Sequence, residues 1–356
     1  LIPSRYVRRS IPPLDGGLTP NDRLDEVTGA ILQGFDEPDD VLVAGDGSAY
    51  ITSGDEIVSI DRSGARQILA TLPGQAGPLA PHPAGGLLVG VAGHGLLWVT
   101  AESDVVPVLE MVDGESLLCP TDIAVHGAQI YLTDGSAEHH GDEWVHDLMA
   151  QNNCGRLIHF DTSSGRARVL RNGMAYPSGI TVSGDGTSLI VSEAWAHRIL
   201  AIDAGESEGT TVLRDNLPGY PGRLSTADDG SYWLAVFALR TQLVDFVLTQ
   251  RDFIEEMVNT IEPDLWVRPA LRSLNSGLEP LQGGQIRKLG VVKPWAPPRS
   301  YGLIAHLDHN GNVIDSWHSR AGGQRHGVTT VRSVGSRLAI AIRGGSEVVI
   351  TDGSSQ

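Results

Sequence analysis

The sequence predicts an all-β fold, a six-bladed β-propeller with a helical insertion in blade five, and three observations carry that prediction. The first is a hairpin grammar. "VLVAGDGSAYIT", "ITVSGDGTSLIVS" and "LSTADDGSYWLAV" each join two strand-like runs through Asp-Gly, the pair that supplies the positive φ of a two-residue turn. The second is a companion unit, "IVSIDRSGARQIL", "LIHFDTSSGRARVL" and "IAHLDHNGNVIDSW", in which a strand ends in Asp, turns through Gly and returns. The third is their alternation. Two hairpins make a four-stranded unit, and recurrence at roughly 40–60 residues is the signature of a propeller. The chain of 356 residues is read as one domain, 1–356.

Inner hairpins begin at Asp39, Pro78, Thr121, Ser178, Gly222 and His326, which sets the blade count. The stretch from Leu24 to Leu32 is available to pair with the last blade, so that ring closure leaves no open sheet edge. Two segments interrupt the pattern. "SAEHHGDEWVHDLMAQNN", Ser136 to Asn153, is a polar loop with one short helix inside blade three. Residues 242–298 form the insertion: Leu243, Val247, Ile254, Val258 and Ile261 recur on one helical face. That helix ends near Glu262-Pro263, and "WAPPRSYG", from Trp295 to Gly302, returns the chain to the sheet. The apolar stripe is expected to be covered by the propeller or by a second copy of the chain, so a homo-oligomer through the insertion is one expectation.

Composition narrows the partners. The 26 basic and 43 acidic residues give a net charge of -17 with no basic block, which argues against nucleic acid and anionic membranes. No run approaches the ~18 apolar residues of a membrane span. Cys119 and Cys154 read as two reduced thiols in preference to one disulfide. The N-terminal "LIPSRYVRRS" has no apolar core of a signal peptide. A cytoplasmic protein is expected, or a periplasmic one if that terminus is the product of processing.

At this point the chain resembles the strictosidine synthase-like group of the six-bladed propeller superfamily that includes the SMP-30/gluconolactonases. The residues that carry the resemblance are "IPPLDGGLTPNDRLD", "IYLTDGS" with "HDLMAQNNCGRLIHFDTSSG", "YPSGITVSGDGTSLIVSEAWAHRI", "NLPGYPGRL" with "YWLAVFALR", and "SYGLIAHLDHNGNVIDSWHS". In the superfamily's metal-dependent lactonases a Glu, two Asn and an Asp meet a divalent cation on the axis. The resemblance maps those ligands onto Asp39, Thr121, Ser178 and Gly222. One carboxylate remains, two amides have become hydroxyls, and the last ligand is lost. A hard cation such as Ca²⁺ wants about six or more oxygens, so no cofactor is expected. If Ca²⁺ or another divalent cation is held, Asp39 is the metal ligand, helped by Asp122, Glu37 or Asp40. The group's condensing enzymes work with a glutamate from the last blade, and His326 falls near that position here.

Candidate chemistry follows from these positions. His326, at the start of blade six, is a candidate general base. Arg223, next to the lost ligand, is a candidate for stabilising an oxyanion, or else it neutralises Asp39 or Asp122. Asp39 is the alternative water-activating group. Thr121, Asp122, Ser178, His140, Trp195, Arg240 and Tyr301 are candidate substrate contacts, with Arg299 beside Tyr301 at the rim. His140, Glu143 and His146 line one helical side without matching a strong zinc signature. Glu193, Trp195 and His197 share a face if extended. The leading expectation is a small-molecule hydrolase of lactones or esters. The alternative is a non-catalytic metabolite-binding propeller, and the third is a C–N or C–C bond-forming enzyme.

Overall fold

The structure, a computed structural model, describes residues 10–205, 209–272, 287–288, 291–292 and 299–353. The basic patch of residues 1–9, Trp295 and most of 273–298 lie outside the described residues. Six four-stranded antiparallel sheets surround an axis. Their inner strands are Pro38–Val43, Ala76–Pro81, Pro120–His126, Pro177–Val182, Gly219–Thr226 and Val328–Val334. Ring closure comes from Gly29–Gln33, which pairs with Glu347–Thr351 as the outer strand of blade six. The closing strand is thus shorter and later than the stretch expected from Leu24. Leu24 itself is buried in the short helix Arg23–Glu26.

Each gap between neighbouring blades is filled by one apolar cluster drawn from both. Ile57, Leu79 and Val89 fill the first gap, and Phe35, Ile51 and Val348 the last. Strict alternation along each strand makes this possible, because alternate side chains stand on opposite faces of each sheet. The pairing register slips at the axial end of all six inner strands, as between Pro38 and Val41, Pro120 and Asp122, and Val328 and Thr330. Irregularities of this kind re-aim a side chain, and here they turn one residue per blade toward the axis.

The repeated pattern also corrects the second and sixth blades, where Pro78 and His326 are the expected starts. Asp40 and Asp122 each accept the N–H of the next residue, Val41 and Ile123, and that of the following blade, Leu79 and Ile180. Aligning the apolar residue that follows gives an axial series of Asp39, Gly77, Thr121, Ser178, Gly222 and Thr329. His326 lies before the strand and is not a member.

Both interruptions fall between the second and third strands of their blades. In an antiparallel sheet that end lies beside the start of the inner strand, so both segments enter at the mouth of the axial cavity. The helix expected over Leu243–Ile261 is two among the described residues, Gln242–Val247 and Arg251–Thr260. Thr241 caps the first by accepting the N–H of Val244. Val247, Ile254 and Met257, with Val145, Leu148 and Met149 of helix Trp144–Ala150, join one core with Trp195, Tyr220 and Trp266. Leu243 and Val258 pack against it, so the stripe is covered by its own chain. Ile261 falls past the helix and is exposed.

Candidate active site

A partly open cavity of about 110 Å³ sits on the axis at the end where the inner strands begin. Its floor is Asp39, Gly77, Thr121, Ser178 and Thr329, with Arg223 and Arg343. Its walls are Trp144, Tyr176, Phe237 and Leu271. The helix of the polar loop supplies Trp144, and the insertion supplies Leu271.

Arg223 reaches across the axis. Its Nε donates to Thr121 O (2.8 Å), and Nη1 donates to Asp39 O (2.7 Å) and Thr330 Oγ1 (3.0 Å). Its Nη2 donates to Asp39 Oδ2 at 2.5 Å. Four of the five guanidinium N–H groups are thereby engaged, and blade five is tied to blades one, three and six. Glycine at 179 permits the approach, since a Cβ there would lie 2.7 Å from the Arg223 Cα. Burial opposes the guanidinium's charge, but Asp39, Asp40 and Asp122 outweigh it and hold its pKa above the usual arginine value.

A second ion pair lies beneath. Arg332 donates from Nε and Nη2 to the two oxygens of Asp40, at 3.0 and 2.5 Å. Burial works against the Asp40 carboxylate, yet Arg332 and Arg223 hold its pKa below the ordinary value. Asp122 has no such fork: its Oδ1 is 3.8 Å from Arg223 Nε. Burial therefore prevails over the two arginines and pushes its pKa up to about 7.

The axial hydroxyls face each other's backbone. Thr121 Oγ1 donates to Pro177 O (2.6 Å), Ser178 Oγ to Pro221 O (2.7 Å) and Thr329 Oγ1 to Asp39 O (2.8 Å). Their hydrogens tie each blade to the next, which leaves them acceptors only. The cation expected of the superfamily's lactonases does not fit this arrangement. Asp39 Oδ2, Asp39 O and Thr121 O, the oxygens that would face a cation, already accept from a guanidinium.

Other candidate residues fall outside the cavity. His326 is buried ahead of the blade-six inner strand, with Nε2 on Arg320 O (2.9 Å) and Nδ1 on Ser300 Oγ (2.8 Å). The carbonyl must receive a proton from Nε2, so Nδ1 accepts from the serine; burial lowers the ring's pKa. Tyr301 O–H contacts His318 Nδ1 at 3.0 Å. Arg240 binds Asn216, Leu217 O and Asp245, fastening the first insertion helix. Arg299 donates to Asp264 O. The Glu193 strand ends at that residue, so Trp195 and His197 do not continue its alternation. Trp195 backs the wall, stacked on Tyr176 with ring centroids 4.4 Å apart, and donates to Asp147 Oδ1. His140 is exposed beside Gly93. Among the described residues no group of three His, Cys, Asp or Glu is arranged to hold a metal. Both cysteines are free thiols.

The sequence reading missed Thr329, Arg343, Trp144, Tyr176 and Phe237. Thr329 had a signal, because "TTV" repeats the polar-polar-apolar order of "DDV" and "TDI". Arg343 lies in a loop of blade six and had none.

These features define a class: a six-bladed propeller with an axial cavity capped by inserts from blades three and five. Within that class the chain is similar to strictosidine synthase-like proteins. The strictosidine synthase family profile matches residues 121–207. Adipocyte plasma membrane-associated protein of Salmo salar is 30% identical over 188 residues, covering 49% of this chain and 45% of that protein. Its Mus musculus counterpart is 26% identical over 280 residues, 72% of this chain and 67% of that protein. Strictosidine synthase-like 13 of Arabidopsis thaliana is 25% identical over 241 residues, 67% of this chain and 54% of that protein. The chain thus spans about half the length of the salmon and Arabidopsis relatives it matches. A solved gluconolactonase from Xanthomonas campestris superposes with a TM-score of 0.59 at 12% identity, covering 90% of this chain and 87% of that one. Regucalcin from Agrobacterium tumefaciens gives 0.58 at 14%, covering 91% and 93%. At such identities the likeness is one of fold.

Proposed function

We propose that the axial cavity hydrolyses a small lactone or ester. The observation that carries this reading is the pairing of one carboxylate with a guanidinium on the floor of an aromatic-walled cavity. Asp39 is the sole acid among the described lining residues. Its Oδ2 is held by Arg223, which orients the group and leaves Oδ1 with no hydrogen bond. Water held at Oδ1 gives its proton to the carboxylate as its oxygen adds to the substrate carbonyl carbon. The charge that develops on the carbonyl oxygen is met by the remaining N–H of Arg223 Nη2. Collapse of the tetrahedral species breaks the C–O bond to the alkoxide, which takes the proton back from Asp39. One acid and one alcohol result, or a single hydroxy acid from a lactone.

Relative to the sequence reading, Asp39 takes the role considered for His326, and Arg223 acts chiefly by positioning Asp39. The gluconolactonase likeness supports the fold on which such chemistry occurs, not the substrate. A binding propeller is the second reading, favoured by the close Arg223–Asp39 pair, which already occupies one of the two Asp39 oxygens. Bond formation of the strictosidine synthase type has least support, because the axial start of blade six presents Thr329 and no carboxylate. The test is turnover of γ- and δ-lactones and p-nitrophenyl esters by the wild-type protein and Asp39→Asn. A loss of kcat by roughly 10²–10⁴ in the variant is expected. Absence of turnover in the wild type, or its survival in the variant, overturns the reading.

A further inference from the structure

We infer that Arg343 is the anchor for a carboxylate carried by the ligand, so that the cavity takes monoanionic carbonyl compounds and discriminates against their neutral analogues. The inference deepens the hydrolase reading and rests on it only for the fate of the ligand, not for its binding. Arg343 opens the 3-10 turn between the second and third strands of blade six and lines the cavity. Its side chain is only 13% exposed. Of its five N–H groups, one is engaged, by Nη2 to Glu37 Oε2 at 2.6 Å. Nε is buried without a partner. Nη1 makes no hydrogen bond, and Asp39 Oδ1 is 3.6 Å away.

The contrast with Arg223 decides the assignment. Both guanidiniums line one small cavity, but Arg223 has four of its N–H groups matched to acceptors and Arg343 has one. A nearly buried cation with unmatched donors is costly, and the acceptor that would relieve it must come from the cavity. A guanidinium presents its donors as a planar fork that suits a carboxylate. The neighbouring Asp39 carboxylate penalises a second charge on the ligand, so a monoanion is favoured over a phosphate dianion. Glu37, which holds Nη2, is itself kept ionised below its ordinary pKa by Arg343, with a further contribution from Arg272.

The test uses unreactive probes, so that binding is read apart from turnover. Tetrahydrofuran-2-carboxylate, tetrahydrofuran-2-carboxamide and inorganic phosphate are titrated calorimetrically into the wild type, Arg343→Gln and Arg343→Lys. The carboxylate should bind the wild type at least about tenfold more tightly than the carboxamide, the scale of charge-assisted hydrogen bonds. Arg343→Gln should remove that preference and Arg343→Lys should keep part of it, with thermal melts showing that both variants are folded. Equal affinities in the wild type, a preference that survives Arg343→Gln, or tighter binding of phosphate than of carboxylate each overturns the inference. The corresponding γ-lactones, with and without a carboxylate, are then assayed for hydrolysis. If the carboxylate probe binds through Arg343 and neither lactone is turned over, the anchor stands and the hydrolase reading falls.

Discussion

Replacing Arg223 with alanine removes a side chain that bridges four blades at the axis. The substitution leaves the Asp39 carboxylate without its 2.5 Å partner and strips donors from Asp39 O and Thr121 O. Three carboxylates, Asp39, Asp40 and Asp122, then share the axial region with two remaining cations, Arg332 on Asp40 and Arg343, whose Nη1 is 3.6 Å from Asp39 Oδ1. Breaking a buried pair by removing one partner costs about 3–5 kcal/mol. For 356 residues, at about 2.1 cal/mol/K per residue, the unfolding entropy is ~0.75 kcal/mol/K, so the expected fall in Tm is roughly 4–7 °C. Arg223→Lys should fall by less, because an ammonium restores the charge but not the planar fork. Differential scanning calorimetry at pH 7 on the three proteins reads this directly. A fall below about 1 °C for the alanine variant would place the pair in the range of exposed ion pairs and refute the axial-brace argument.

Other expectations follow from the same geometry. Because a guanidinium already satisfies the oxygens that would face a cation, neither EDTA nor Ca²⁺ should shift the wild-type Tm. Ca²⁺ should raise that of Arg223→Ala combined with Gly222→Asp, where a Cβ at 222 meets nothing closer than 3.4 Å. A Ca²⁺-dependent wild-type melt would contradict this. His326→Gln should leave kcat on any hydrolysed ester within about twofold, since His326 lies outside the cavity; a loss on the scale of roughly 10²-fold would restore it as the base. His318, between Tyr301 and Ser316, has its pKa lowered to about 4 by burial. Its folded state resists protonation, so its contribution is complete above pH ~6.5 and is lost as pH falls toward 4. His318→Gln should flatten the decline in urea midpoint over that window, and an unchanged slope would show that His318 does not govern it.

The fold could be read from the chain because its determinants are local. Asp-Gly turns, strand alternation and their spacing are contained within stretches of ten to fifteen residues or so, and each hairpin dictates the next. The register of four axial positions came from the same repetition; it slipped by one residue at blade two, where Gly77 and not Pro78 is axial, and it failed at blade six, where "RHGVTT" offered a histidine ahead of the true strand start. The pairing of "TTV" with Asp39-Asp40-Val41 is visible only once the strands are superposed. Tertiary structure alone decided which polar groups remain available. Arg223 and Arg343 look alike as letters, yet one finds Asp39, Thr121 and Thr330 around it and the other finds little beyond Glu37. Thr121 and Ser178 read as substrate contacts until the neighbouring blade's carbonyls take their hydrogens. Trp144 and Leu271 reach the cavity from inserts in different blades, brought together because both leave the sheet at the end where the inner strands begin. Local propensity writes the strands, whereas the chemistry of the axis depends on partners about 100 to 290 residues apart in the chain, which no local pattern encodes.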